Sequence, residues 1–146
     1  MQQCRPEDLD RVRAAYAAAG ITAELAPFFA DMPQRMKAAH LVVGRSGAST
    51  IAELGVIGRP AILVPLPHAL DNDQLKNALS FTAAGAGWMV AQGDLTPETF
   101  AELFLRLSNS PNELARAAHA AAAQGRADAA ERLADAVSAL ANAGAD

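Results

Sequence analysis

The chain has 146 residues, 51% of them hydrophobic and 19% charged, which excludes a disordered composition and allows one domain with a core of its own. A net charge of −4 with no basic patch argues against nucleic acid as the main partner. Cys4 stands alone, which excludes a disulfide framework and a cysteine metal cluster. With neither a signal-peptide pattern nor a bilayer-length apolar run, a reducing, cytoplasmic setting follows, any membrane contact being peripheral or through another part of a larger protein.

In chain order, "RPEDLDRVRAAYAAAG" predicts a helix from about Pro6 to Ala19, with acidic residues in its first turn and Gly20 after its end. "ITAELAPFF" reads as a short strand and turn, and "DMPQRMKAA" as a short helix with Asp31 as N-cap. "HLVVG" is a buried strand and "ASTIAELGVIG" a helix closed by glycine. "PAILVPLP" is a second buried strand, ended by prolines that cannot continue a ladder. "DNDQLKNALSFTAAGAG" is a helix ending at Gly85 or Gly87, and "WMVA" a short strand. Helices follow over 97–108, 111–123 and 126–143, and the alanine-rich, amphipathic end is expected to pack on the sheet.

Strand and helix alternate four times, the pattern of an α/β fold with a Rossmann-like parallel sheet and helices on both faces. "LVV" and "AILV" are apolar throughout, as strands covered on both faces are. The opening "MQQC" precedes a helix without a complete strand or a glycine-rich turn in front of it, as expected of the rear part of something longer.

Ligands of open parallel sheets bind beyond the carboxyl ends of the strands. Residues 44–50 and 65–74 lie at two such ends, and one ligand would touch both loops if their strands are neighbours. In the first loop Ser46, Gly47 and Ala48 open a helix whose first N–H groups have no internal partners and carry the positive end of the macrodipole. A phosphate fits there. Glu53, seven residues after Ser46 on the same face and about 10 Å along the axis, suits the hydroxyls of an attached ribose. Arg45 would pair with a phosphate or merely hold the loop. The plainer alternative makes Ser46 an N-cap, Gly47 a turn residue and Glu53 a solvated side chain. Neither G-x-x-x-x-G-K-[ST] nor G-x-G-x-x-G is present.

In the second loop Asp73, Gln74 and Asn77 fall near the start of one helix, and amides suit sugar hydroxyls because they donate and accept. The alternative is local: Asp71 and Gln74 form a D-x-x-Q capping-box pattern. His68 would be a polar contact or an ordinary loop residue. His40 and His119 read as structural and Trp88 as core. No cluster has metal-ligand spacing.

Taken together, "FFADM", "AAHLVVGRSGASTIAE", "GRPAILVPLPHALDNDQLKNA" and "AGAGWMV" resemble the C-terminal domain of the MurG family, over about residues 10 to 140. These enzymes transfer N-acetylglucosamine from UDP-N-acetylglucosamine to lipid I, making lipid II for peptidoglycan and so for cell shape and division. The resemblance implies the C-terminal half of a two-domain GT-B glycosyltransferase, with residues 1–146 a partial UDP-sugar-binding domain and the acceptor domain and opening donor-domain strand absent.

Carried over by motif, Phe29 would meet uracil through its backbone. The segment Ser46, Gly47, Ala48, Ser49 and Thr50 would lie near uridine and the diphosphate, with Arg45 beside it. Glu53 would hold the ribose hydroxyls. Gln74 and Asn77 would bind hydroxyls of the sugar, with Asp73 beside them, although many relatives carry histidine or glutamine at the Asp73 position. The resemblance implies no cofactor and no obligatory metal. It implies peripheral association of the full enzyme with the cytoplasmic side of the bacterial inner membrane. The general base belongs to the missing domain, so no catalytic residue is assigned and the isolated chain is expected to be inactive. The rival expectations are an isolated uridine-nucleotide-binding module and an inactive truncated fragment.

Overall fold

The structure is a computed structural model that describes residues 1–68 and 70–143; Ala69, inside the second loop, and residues 144–146 lie outside the described residues. The chain divides into two compact units, Met1–Arg35 and Met36–Asp146.

In the first unit, β1 (Gln2–Gln3) and β2 (Leu25–Ala26) pair in parallel across α1 (Leu9–Ala18), which a 3-10 turn at Pro6–Asp8 precedes. "MQQC" thus contains a two-residue strand where none complete was expected. The Tyr16 hydroxyl donates to Gln2 Oε1 at 2.8 Å, tying α1 to β1. Gly20, at φ 67°, ends α1 in the left-handed region, and the Ile21 N–H returns to the Tyr16 carbonyl.

α2 (Met32–Ala38) begins beside Asp31, whose carbonyl accepts the Arg35 N–H as an N-cap residue's would. The Asp31 carboxylate turns to the Arg35 guanidinium at 2.6 Å. Arg35 also holds Glu24 at 2.5 Å and lies 4.3 Å above the ring of buried Phe29. The hydrogen bonds from Arg35 hold both carboxyl groups below their ordinary pKa, and raise that of the guanidinium.

The second unit is built on a parallel sheet in the order β3 (Val42–Gly44), β4 (Ala61–Leu63), β5 (Gly87–Met89). Val43 stands opposite Ile62, which stands opposite Trp88. The central strand β4 is wholly buried, as its unbroken apolar run predicts. The other strand departs from expectation: β3 lies at the edge of the sheet and Val43 is 48% exposed, so "LVV" is not covered on both faces.

α3 (Ala48–Ile57) and α4 (Asp73–Ala83) follow β3 and β4, and α5 (Pro97–Ser108), α6 (Pro111–Gln124) and α7 (Ala129–Ala143) complete the chain. Leu54, Ile62, Leu63, Phe81 and Leu107 anchor the core. α6 packs against α3 with almost no space between backbones: a Cβ on Gly125 would stand 2.6 Å from the Gly55 carbonyl oxygen. Gly58, at φ 62°, closes α3, and the Arg59 N–H reaches the Leu54 carbonyl.

Three further expectations change. α7 does not pack on the sheet: every residue from Arg126 to Asn142 is exposed, and Leu133, Val137 and Leu140 turn an apolar stripe to solvent. Trp88 is half-buried because β5 is the other edge of this sheet. His40 and His119 are exposed and take no part in the core.

Candidate nucleotide-sugar site

The parallel register places the ends of β3, β4 and β5 side by side, so the segments after Gly44, Leu63 and Met89 share one edge of the sheet. A separate cavity of about 280 Å³ lies toward the opposite edge, where His40 and Pro60 precede their strands and α6 covers them.

At the first segment the N-cap of α3 is Gly47, extended at φ −62° and ψ 154°, and no side chain caps the helix. Ser46 is fully buried, but its hydroxyl turns away from α3 and donates to the Gln74 carbonyl at 2.8 Å. The Asn77 Nδ2 group returns a hydrogen bond to the Ser46 carbonyl at 3.1 Å. Two reciprocal bonds therefore fasten the start of α4 to the turn before α3. The N-cap reading of Ser46 does not hold, because tertiary contact with α4 outcompetes the local cap.

The second segment departs from the helical backbone in an uncommon way. His68, Asp71 and Asn72 have φ of 59°, 55° and 53°. Aspartate and asparagine tolerate this region better than other side chains. Asn72 is the N-cap of α4 and makes no side-chain cap. The Asp71–Gln74 capping box is absent: Gln74 Oε1 instead accepts the Leu66 N–H at 3.0 Å, and the Gln74 N–H donates to Asp73 Oδ1 at 2.7 Å. The Nε2 group of Gln74 and the Oδ1 atom of Asn77 take no part in these bonds. At α3 no side chain takes the first N–H groups, which leaves them and the helix dipole available to an anion; at α4 the Asn72 side chain makes no cap, but the Asp73 carboxylate already takes the Gln74 N–H.

Arg45 joins all three strand ends. Its Nη1 donates to the Val64 and Pro65 carbonyls at 3.1 and 3.2 Å, and its Nη2 to Gln92 Oε1 at 2.8 Å. Of the sequence-derived residues, Arg45, Ser46, Gly47, Gln74 and Asn77 are brought together by these bonds and this turn. Ala48, Ser49 and Thr50 form the first turn of α3, and Asp73 opens α4. Glu53 is exposed farther along α3 and enters none of the ion pairs among the described residues. Phe29 belongs to the first unit, its ring under Arg35.

Sequence reasoning missed Gln92 and the carbonyls of Val64 and Pro65. Gln92 lies 47 positions from Arg45, so no local spacing reveals it. Its place just after β5 was the available signal, since strand ends of a parallel sheet converge.

Comparison with known proteins agrees with this architecture. The model of the glycosyltransferase family 28 C-terminal domain matches residues 1–133. Over 124 residues, 85% of this chain, it is 54% identical to a Rhodospirillum rubrum protein and 56% identical to a Granulibacter bethesdensis protein. Both relatives are named UDP-N-acetylglucosamine–N-acetylmuramyl-(pentapeptide) pyrophosphoryl-undecaprenol N-acetylglucosamine transferase. The chain covers 32% of each, about a third of their length. The crystal structure of Acinetobacter baumannii MurG superposes with a TM-score of 0.87 at 32% identity, covering 93% of this chain and 41% of that one. The chain is an α/β, Rossmann-like member of the glycosyltransferase family 28 C-terminal domain family.

Proposed function

We propose that this chain is the donor-binding part of an inverting glycosyltransferase that moves N-acetylglucosamine from UDP-N-acetylglucosamine to lipid I, giving lipid II for peptidoglycan synthesis. The observation that carries this reading is the uncapped N-terminus of α3, fastened to the start of α4 through Ser46, Gln74 and Asn77 at one sheet edge.

The diphosphate lies at the start of α3, against the N–H groups of residues 48–50. Arg45 supplies a cation beside it. Glu53 accepts hydrogen bonds from the ribose hydroxyls. The free amide atoms of Gln74 and Asn77 meet hydroxyls of the sugar, with Asp73 at the rim. In the reaction the acceptor hydroxyl forms a bond to the anomeric carbon as the bond to the UDP oxygen breaks. Negative charge grows on the leaving diphosphate, and fixed N–H groups and helix dipoles at that position lower the barrier without needing a metal.

The base that takes the acceptor proton is assigned to an acceptor domain outside these residues. The 146-residue chain therefore binds donor without turning it over. The full enzyme works peripherally at the cytoplasmic face of the bacterial inner membrane; no helix among the described residues is long and apolar enough to cross a bilayer. Replacement of Glu53 by alanine tests the ribose assignment: calorimetry with UDP should show affinity falling roughly tenfold or more, as loss of hydrogen bonds to a charged group implies. Unchanged affinity refutes it.

A further inference from the structure

Arg45 stands two residues before Gly47, the N-cap of α3. A cation gains nothing from the macrodipole at that end of a helix, and the Arg45 guanidinium reaches across the sheet edge to the segments after β4 and β5. Arg59 shows the favourable placement, donating to the Lys37 carbonyl near the end of α2 and to the Gly58 carbonyl at the end of α3. The acceptors of Arg45 are two backbone carbonyls and the Gln92 amide, all neutral, and no ion pair among the described residues includes it. If the role of Arg45 were only to tie three loops together, a glutamate at position 92 would serve better, since a charge-assisted hydrogen bond is roughly twice as strong as a neutral one. A glutamine has the same length and the same acceptor oxygen, and leaves the cation unneutralised.

We propose that Gln92 is a positioning residue of the nucleotide site: it orients the Arg45 guanidinium through a neutral acceptor, so that the positive charge at this sheet edge is kept for the ligand's diphosphate. This rests on the donor-site reading above and adds to it a residue from a third loop. Gln92 itself touches no ligand. It acts by holding Nη2 of Arg45, while the Val64 and Pro65 carbonyls hold Nη1.

The test is Gln92→Glu in the 146-residue chain, titrated calorimetrically with UDP and with uridine, alongside thermal melting. Size and acceptor are preserved and one negative charge is added. UDP affinity should fall about tenfold at low ionic strength, the deficit shrinking as salt rises. Uridine affinity should stay within about twofold of wild type, and the melting temperature should hold or rise. Gln92→Met removes the acceptor without adding charge and should cost UDP a smaller factor, about threefold, again sparing uridine. It decides the matter if Gln92→Glu fails to fold. UDP binding unchanged in a folded Gln92→Glu chain, or equal losses for UDP and uridine, overturns the proposal and leaves the donor-site reading standing. A wild-type chain that binds neither ligand overturns both.

Discussion

Two arginines organise the two units in opposite ways. Arg35 gathers two carboxylates, Glu24 and Asp31, over the ring of Phe29. Arg45 gathers two carbonyls and an amide. The first cation is neutralised where it stands, and its bonds join β2, α2 and the segment between them into one small unit. The second fixes three strand ends just as firmly but keeps its charge. The partners of an arginine, more than its position in a loop, distinguish a cation neutralised in place from one whose charge has no counter-charge.

The sharpest way to break this comparison is to remove each guanidinium in turn. Arg45→Met should lower UDP affinity by about a hundredfold, combining loss of a charge-assisted contact with release of the strand-end loops. Arg35→Met should lower the melting temperature while changing UDP affinity by less than about threefold. Equal effects on affinity would show that the two clusters do not differ in kind. Calorimetry and thermal melting on the same two variants give both readings.

Ser46→Ala is expected next in size. It removes the hydrogen bond that ties fully buried Ser46 to the Gln74 carbonyl, a cost of about 0.5–1.5 kcal/mol. For a chain of this length that corresponds to a fall of a few degrees in melting temperature, at about 2–4 °C per kcal/mol.

Acid should separate the units further. Glu24 and Asp31 have lowered pKa values in the folded state because Arg35 donates to them. Groups lowered by folding stabilise it above their unfolded pKa values, about 3.9 to 4.3, and lose that contribution as pH falls through the lower folded values. Both side chains are more than half exposed, so solvent screens the effect. Melting at pH 7 and pH 3 should show a small acid loss that Arg35→Met reduces, the remainder including Glu98 of α5, whose carboxyl hydrogen bonds from its own backbone and from Thr96 hold below its ordinary pKa.

The smallest effect should come from α7. Leu133 and Leu140 are 67% and 75% exposed. Leu140→Lys should therefore shift the melting temperature by less than about 2 °C.

How much of this was legible in the sequence depends on the range of the forces involved. α5 was readable to the residue, Pro97 to Ser108, because its start is decided locally by Pro97 and by Thr96, whose side chain accepts the Thr99 N–H. The glycine that ends α3 was readable for the same reason. The D-x-x-Q pattern at Asp71 was equally local, yet tertiary contact overruled it: Gln74 spends its oxygen on Leu66, and Asp71 adopts a left-handed backbone. Ser46 looked like a cap and is instead a tie to α4. The amphipathic stripe of α7 was plain, but amphipathicity does not name a partner, and the helix covers nothing here. What was legible of the candidate site was two loops, which the sheet places at adjacent strand ends. Gln92, the third, comes into reach only when the sheet brings β5 beside β4.

A calorimetric titration of the wild-type 146-residue chain with UDP asks whether this sheet edge holds a nucleotide diphosphate. Saturable binding at one site per chain is expected, strongly weakened by Glu53→Ala and weakened with rising salt. No saturable heat up to millimolar UDP from a chain that melts cooperatively would contradict it.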